Sequence, residues 1–244
     1  MDALAELKEV LAENRAVRLV EDDIYSALPD VSHKHHYDRR ATVYDLVVST
    51  RLYNRVMWGS SPLDYVAFAR QAVASNADGR LLDAGCGSLL FTASVYLERK
   101  RKIIAFDQSL AMLRRARQRL TDLFGLVPEH IRLLQADLND LPFRSNSFQT
   151  ILCLNVLHHS EHADRLFPAL KNLLVDKGDL FLTSLVLNNR FIGDRYLNAL
   201  YATGEFVRPR TVVELKEILV KSFGQEPNCK TKGNMAYVTA AMFL

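Results

Sequence analysis

Leu81-Leu82-Asp83-Ala84-Gly85-Cys86-Gly87-Ser88-Leu89-Leu90-Phe91-Thr92 is the stretch on which the fold turns. A short apolar run ends in an acid, passes through a Gly-x-Gly turn and enters a helical pattern over Leu89 to Arg99. Working outward from it, the same alternation repeats. Ile103–Asp107 reads as a second strand, and Leu110 to Phe124 as a helix with apolar residues at helical spacing and arginines between them. Ile131–Asp137 and Phe148–Leu154 follow as strands, Asp164–Leu174 as a helix, and Asp179–Ser184 as a fifth strand. Strands alternating with crossover helices make an α/β fold, a parallel sheet with helices on both faces. Ligands in such sheets bind outside the carboxyl ends of the strands, where the strand order switches. Asp83, Asp107, Asp137 and Asn155 all fall at or just past predicted strand ends.

Two segments flank this core. Residues 1–79 are expected to form a helical extension and active-site cap, with the 80–244 region as the ligand-binding core. The extension opens on an amphipathic stretch (Leu4, Leu7, Val10, Leu11), continues through a His-rich link, and reaches an aromatic stretch containing Tyr44, Tyr53, Trp58 and Tyr65. After Ser184 a loop or helix over 188–208, with Phe191, Tyr196, Tyr201 and Phe206, is expected to wall the site from the other side. A helix over Thr211–Ser222 and a final apolar strand, Ala236–Leu244, complete the chain.

Composition narrows the classes. The 244 residues are 49% hydrophobic and 24% charged, the balance of a globular domain. A net charge of +3 gives no reason to expect a nucleic-acid partner, and Arg114, Arg115, Arg117 and Arg119 read as a solvated helix face. Cys86, Cys153 and Cys229 show neither metal-ligand spacing nor a disulfide framework, and no metal is expected. The tract Ser32-His33-Lys34-His35-His36 lacks a persuasive carboxylate or thiol partner and reads as a linker. No apolar run reaches the ~18 residues of a membrane span. The acid-studded N-terminus is unlike a secretory signal, so a cytoplasmic protein is expected.

The glycine turn alone fits two ligand classes. A dinucleotide site asks for G-x-G-x-x-G, and here the third position is Leu90. An S-adenosylmethionine (SAM) turn, D-x-G-x-G-x-G, is met by Asp83, Gly85 and Gly87 but has Leu89 in the last place. The downstream elements LDAGCGS, AFDQS, ADLNDLPFRSNSF and NVLHH decide between them. As a set they resemble the class I SAM-dependent methyltransferases, in particular the ubiquinone/menaquinone-type small-molecule subgroup, over residues 80 to 185.

That resemblance implies a Rossmann-like, seven-stranded, mostly parallel sheet whose last strand is antiparallel, with AYVTAAMFL as the inserted strand. It implies SAM as cofactor and S-adenosylhomocysteine as product. Asp83, Gly85, Cys86 and Gly87 would form the turn at the amino-acid end of SAM. Asp107 with Gln108 would hold the ribose, and Asp137 with Leu138 the adenine. Asn155 and Val156 would lie beside the methyl-transfer centre, and Tyr37 would cover SAM as part of a lid. Without a ligand, Asp83 would orient the turn, and Asp107 and Asp137 would be ordinary helix N-caps.

SAM carries its own electrophile, so proximity and exclusion of water can suffice for transfer. A base is needed only where the accepting atom must shed a proton. His158 and His159, after the fourth strand, are the candidates nearest the expected centre, ahead of His33, His35, His36 and His162. An apolar, aromatic-friendly wall predicts a small-molecule acceptor with an apolar or aromatic body. Alternatives are an RNA- or protein-directed methyltransferase of the same fold, a non-catalytic SAM-fold scaffold, which Leu89 would favour, and a nucleotide-dependent oxidoreductase, which Leu90 disfavours. The oligomeric state is not written in the sequence.

Overall fold

A computed structural model describes residues 3–29, 49–160 and 162–241. In chain order it gives α1 (Ala3–Val10), β1 (Arg18–Glu21), β2 (Ile24–Ser26) and α2 (Arg51–Tyr53), which runs on as a π-helical turn over Asn54–Trp58. Then come α3 (Pro62–Ala74), β3 (Leu81–Ala84), α4 (Ala93–Tyr96), β4 (Ile103–Asp107), α5 (Leu110–Phe124), β5 (Ile131–Gln135) and β6 (Phe148–Leu154). A 3-10 turn over Leu157–His159 leads to α6 (Ala163–Leu173), β7 (Leu174–Leu185), α7 (Phe191–Ala202), α8 (Val212–Phe223), β8 (Asn228–Lys232) and β9 (Met235–Ala241).

The strands form one sheet in the order β1-β2-β5-β4-β3-β6-β7-β9-β8. From β2 to β7 every pairing is parallel, and β9 runs antiparallel between β7 and β8. The seven strands from β5 to β8 are therefore the expected sheet, with the C-terminal AYVTAA inserted as expected. The sheet has nine strands rather than seven because the N-terminal segment adds two. Its β1–β2 hairpin docks on the β5 edge, Ile24 opposite Leu133, so the N-terminal segment is not wholly helical. An Asp22-Asp23 turn with Asp23 at φ +61° reverses the chain there.

Each face of the sheet carries its own core. Leu82, Ala84, Phe106 and Cys153 pack with Leu7, Val10, Phe167, Leu170, Leu215 and Leu219 from α1, α6 and α8. On the opposite face Leu81, Ala105 and Leu133 meet Phe68, Ala72, Tyr96, Leu113, Ala116 and Leu120 from α3, α4 and α5. The alternation of side chains along each strand sends Leu81 one way and Leu82 the other. Helix α5 begins where Ser109 Oγ accepts from Met112 N and ends at left-handed Gly125, matching the predicted bounds.

Several arginines do more than face solvent. Arg114 and Arg117 ion-pair with Glu21 and so hold the hairpin, while Arg119 donates to the Ser88 carbonyl of the glycine loop. Arg101 is buried and donates to the carbonyls of Ala72, Val73 and Ser75 at the end of α3, closing that helix; burial pulls its guanidinium down to about 10. Among the described residues no helix is long and apolar enough to cross a membrane.

Candidate active site

The chain leaves β3 for β4 and β5 on one side and later returns to β6 on the other, so the strand order switches between β3 and β6. A cavity of about 430 Å³ lies there, over the carboxyl ends of β3, β4 and β6. Asp83, Gly85, Cys86, Gly87, Asp107, Gln108, Leu138, Asn155, Val156 and His159 all line it. Asp137 and His158 do not, and Tyr37 lies outside the described residues.

The turn after β3 explains its glycines. Gly85 has φ +69°, and a Cβ there would come within 2.5 Å of Val156 Cγ2, so the residue lets the β6 loop approach. Gly87, at φ +54°, would put a Cβ into open space, on the cavity side. Its amide donates to Asp107 Oδ2 at 2.9 Å, while Oδ1 of the same carboxylate accepts from Ser109 N at 2.9 Å. Asp107 thus brackets two turns at the edge of the cavity.

Asp83 is 1% exposed and accepts from Tyr96 Oη at 2.5 Å and Thr92 Oγ1 at 3.4 Å. Burial raises its carboxyl to about 7, outweighing those two donors, which favour the charged form. Burial likewise pushes the Cys86 thiol well up, so it is an inert wall rather than a nucleophile.

Leu89 does not enter the cavity. It adopts φ +56° and its side chain is fully buried in the core with Leu113 and Ala116. In consequence the expected helix over Leu89–Arg99 is reduced to Ala93–Tyr96, and residues 85–92 form an open loop. Leu90 and Phe91 from that loop line the cavity, and the Phe91 ring stacks on Tyr65 at 4.6 Å.

Past β5, Asp137 Oδ1 accepts from Asn139 N at 2.8 Å and Asn139 Nδ2 at 3.1 Å, a local turn. Asn139, not Asp137, reaches the cavity with Leu138. Arg15 pins the next acid, Asp140, from the N-terminal segment at 2.8 Å. Past β6, Asn155 takes φ +56°; Thr183 Oγ1 accepts from its backbone N and donates to its Oδ1, each at 3.0 Å. His158 is buried behind the wall against Phe206, with ring centroids 4.2 Å apart, and burial holds it neutral. His159 is held down at about 4, chiefly by burial.

Beyond the cavity, Tyr53, Trp58, Tyr65, Tyr196 and Phe206 converge with Leu185, Leu197 and Met235. The cap and the 188–208 segment meet there, through a Trp58–Tyr196 ring contact at 5.2 Å. Phe191 and Tyr201 instead face solvent, at 78% and 49% exposure, because α7 turns its Gly193, Leu197 side inward. Tyr44, His33, His35 and His36 lie outside the described residues, and His162 takes the N-cap position of α6 without a side-chain capping bond. Met112 and Ser160 line the cavity from outside the motifs, and Phe91, Ser109 and Asn139 line it from within them although no ligand role was expected of them.

A family model described as a methyltransferase domain matches residues 82–182. A malonyl-acyl-carrier-protein O-methyltransferase from Legionella pneumophila is 28% identical over 134 residues, 54% of this chain and 45% of that protein. The chain spans less than half the length of the curated relatives it matches. Among solved structures, a SAM-dependent methyltransferase from Thermotoga maritima superposes with TM-score 0.62 at 17% identity, over 84% of this chain and 98% of that one. Geranyl diphosphate C-methyltransferase from Streptomyces coelicolor A3(2), solved with geranyl diphosphate and S-adenosylhomocysteine, gives 0.60 at 15% identity over 89% and 87%. Residues 82–182 thus match a methyltransferase-domain family, and the sheet with its switch-point cavity shares the fold of solved SAM-dependent methyltransferases.

Proposed function

We propose that the protein transfers a methyl group from SAM to a small-molecule acceptor with an apolar or aromatic body. The observation that carries this reading is the Asp107 carboxylate, bonded to Gly87 N and Ser109 N at the mouth of an open glycine turn. A cavity of this size, largely apolar with a few fixed polar groups, suits a nucleoside-sized ligand. Gly85 and Gly87 receive the amino-acid end, with Asp83 and the Cys86 wall beneath them. Asp107 and Gln108 accept the ribose hydroxyls. Leu138 packs on the adenine, and Asp137 serves by holding Asn139 against its polar edge. Asn155 and Val156 border the reacting end.

SAM, when bound, supplies an electrophilic methyl on a sulfonium sulfur. The chain's own task is to hold the acceptor in line and keep water away. The stacked Phe91 and Tyr65 and the Trp58–Tyr196 contact provide that apolar enclosure. The solved relative acts on geranyl diphosphate, a small molecule with an apolar chain, which supports an acceptor of that size.

Incubation of the protein with methyl-tritiated SAM and a fraction of metabolites below protein size tests the acceptor class. Label extracted with organic solvent is the expected result. Label confined to added RNA or protein overturns the small-molecule reading.

A further inference from the structure

The α2 segment and helix α7 pack together through their inner sides and leave large apolar groups on the outside. Trp58 and Tyr196 meet at 5.2 Å, and a Cβ on Gly193 would come within 2.9 Å of the Met57 carbonyl oxygen. Val56 and Ile192 each stand one residue before that backbone contact, so they flank it from the two elements. They are 42% and 51% exposed, and Leu52 and Phe191 are 70% and 78% exposed. Leu52 and Val56 are four residues apart, as are Phe191 and Arg195, a spacing that keeps each pair on one side of its element. Single exposed apolar residues are ordinary, but four large ones on two touching elements mark a surface that meets something apolar.

The charge beside these groups has one sign. Arg51, Arg55 and Arg195 are exposed on the same two elements. The Arg195 guanidinium lies 5.6 Å from the centre of the Phe191 ring, which sets charge and apolar surface side by side. Residues 51–58 contain no acid. Asp194, the acid of α7, is half-buried and accepts from Asn188 N at 3.2 Å and Asn234 Nδ2 at 2.5 Å. What the outer side offers is therefore apolar groups among arginines, with the acid spent on the fold.

That combination selects among occupants. A second copy of the chain docked face to face would set arginines against arginines. A nucleic acid would gain from the arginines, but Leu52, Val56 and Ile192 give its bases no ring to stack on. A bilayer with anionic headgroups satisfies both halves at once: apolar side chains enter the headgroup boundary while arginines meet lipid phosphates.

We propose that the outer side of α2 and α7 is a docking surface for an anionic lipid bilayer, on which the protein rests without spanning it. Leu52, Val56, Phe191 and Ile192 are the inserted groups, and Arg51, Arg55 and Arg195 pair with the headgroups. The surface is formed by exposed residues outside the β3–β6 cavity, so this inference stands apart from the methyltransferase reading.

Flotation of the full chain with vesicles tests it, using phosphatidylcholine alone and equal parts phosphatidylcholine and phosphatidylglycerol. The wild type is expected to float with the anionic vesicles at least about tenfold more than with the neutral ones, because three arginines act at the charged surface. A Leu52→Ser, Phe191→Ser double variant should lose about fivefold or more of that binding, as should an Arg55→Glu, Arg195→Glu variant. All four positions are exposed, so both variants should keep the wild-type thermal midpoint, which is the control for folding. Absence of flotation, equal flotation with the two vesicle types, or undiminished flotation of either variant overturns the proposal. So does a wild-type dimer in light scattering that the Leu52→Ser, Phe191→Ser variant abolishes, since the surface would then belong to a second copy.

Discussion

Asp83 ends its strand sealed from water, and its chemistry follows from that position. An acid whose carboxyl is raised to about 7 in the folded chain keeps its proton where the unfolded chain has lost it. Between pH 4 and 7 the unfolded state therefore binds fewer protons, and stability falls as pH rises. The span from an ordinary value of 3.8 to about 7 corresponds to at most ~4 kcal/mol. Asp83→Asn removes this ionisation, so its urea-unfolding free energy should decline less between pH 4.5 and 8 than that of the wild type. Equal gradients for the two proteins would contradict the burial argument. Asp107 plays the opposite part, a carboxylate fixed by two backbone donors and lining the cavity. Both acids were legible in the sequence as strand-end groups. That Asp83 is closed off while Asp107 sits at the cavity between two turns was not, because the difference lies in Tyr96 and Thr92 closing over Asp83.

At the scale of elements, strands β4 and β6 and helix α5 sit where periodicity and capping placed them. They have strong local signals, as in the Ser109 cap and the Gly125 stop. The helix after the glycine turn was misjudged for a definite reason. Apolar spacing from Leu89 suggested a helix, but Leu89 takes a left-handed backbone so that its side chain can fill the core. Its presence in place of a glycine is thus a packing feature and not a block in the ligand site. Leu89→Gly should relieve backbone strain of about 1 kcal/mol yet lose several through the cavity it leaves, for a net destabilisation of ~2 kcal/mol. SAM affinity measured on the same variant should stay within about twofold, since the side chain points away from the cavity. A large gain in affinity would show that Leu89 crowds the cofactor after all. Strand β8, Asn-Cys-Lys-Thr-Lys, was invisible because an exposed polar edge strand has no buried face to write a pattern. The β1–β2 hairpin escaped notice for a similar reason, being three and four residues long.

For the molecule as a whole, the N-terminal segment is part of the sheet and not a loose extension. Leu7 and Val10 enter the main core without exposure, Glu6 is buried against Arg132 at 2.8 Å, and β2 covers the β5 edge. Leu7→Ala should therefore cost ~3 kcal/mol in chemical unfolding, as for any well-packed core leucine. A cost below about 0.5 kcal/mol would mean that this segment packs only weakly. The same segment reaches the ligand cavity indirectly, through Arg15 and Asp140 beside Leu138 and Asn139. The parallel sheet followed from the alternation of strands and helices, whereas its strand order, and so the place of the switch point, is set by long-range pairing. The aromatic wall between the cap and α7 could be expected only as a set of residues, since its assembly depends on long-range packing.

The central claim is that the β3–β6 switch-point cavity takes SAM through Asp107. Titration calorimetry of the folded protein with SAM, S-adenosylhomocysteine and NAD measures it directly. The account predicts binding of both adenosyl ligands and not of NAD, with Asp107→Ala weakening the adenosyl ligands by at least ~1 kcal/mol. A folded protein that binds neither adenosyl ligand, or an Asp107→Ala variant with undiminished affinity, would contradict it.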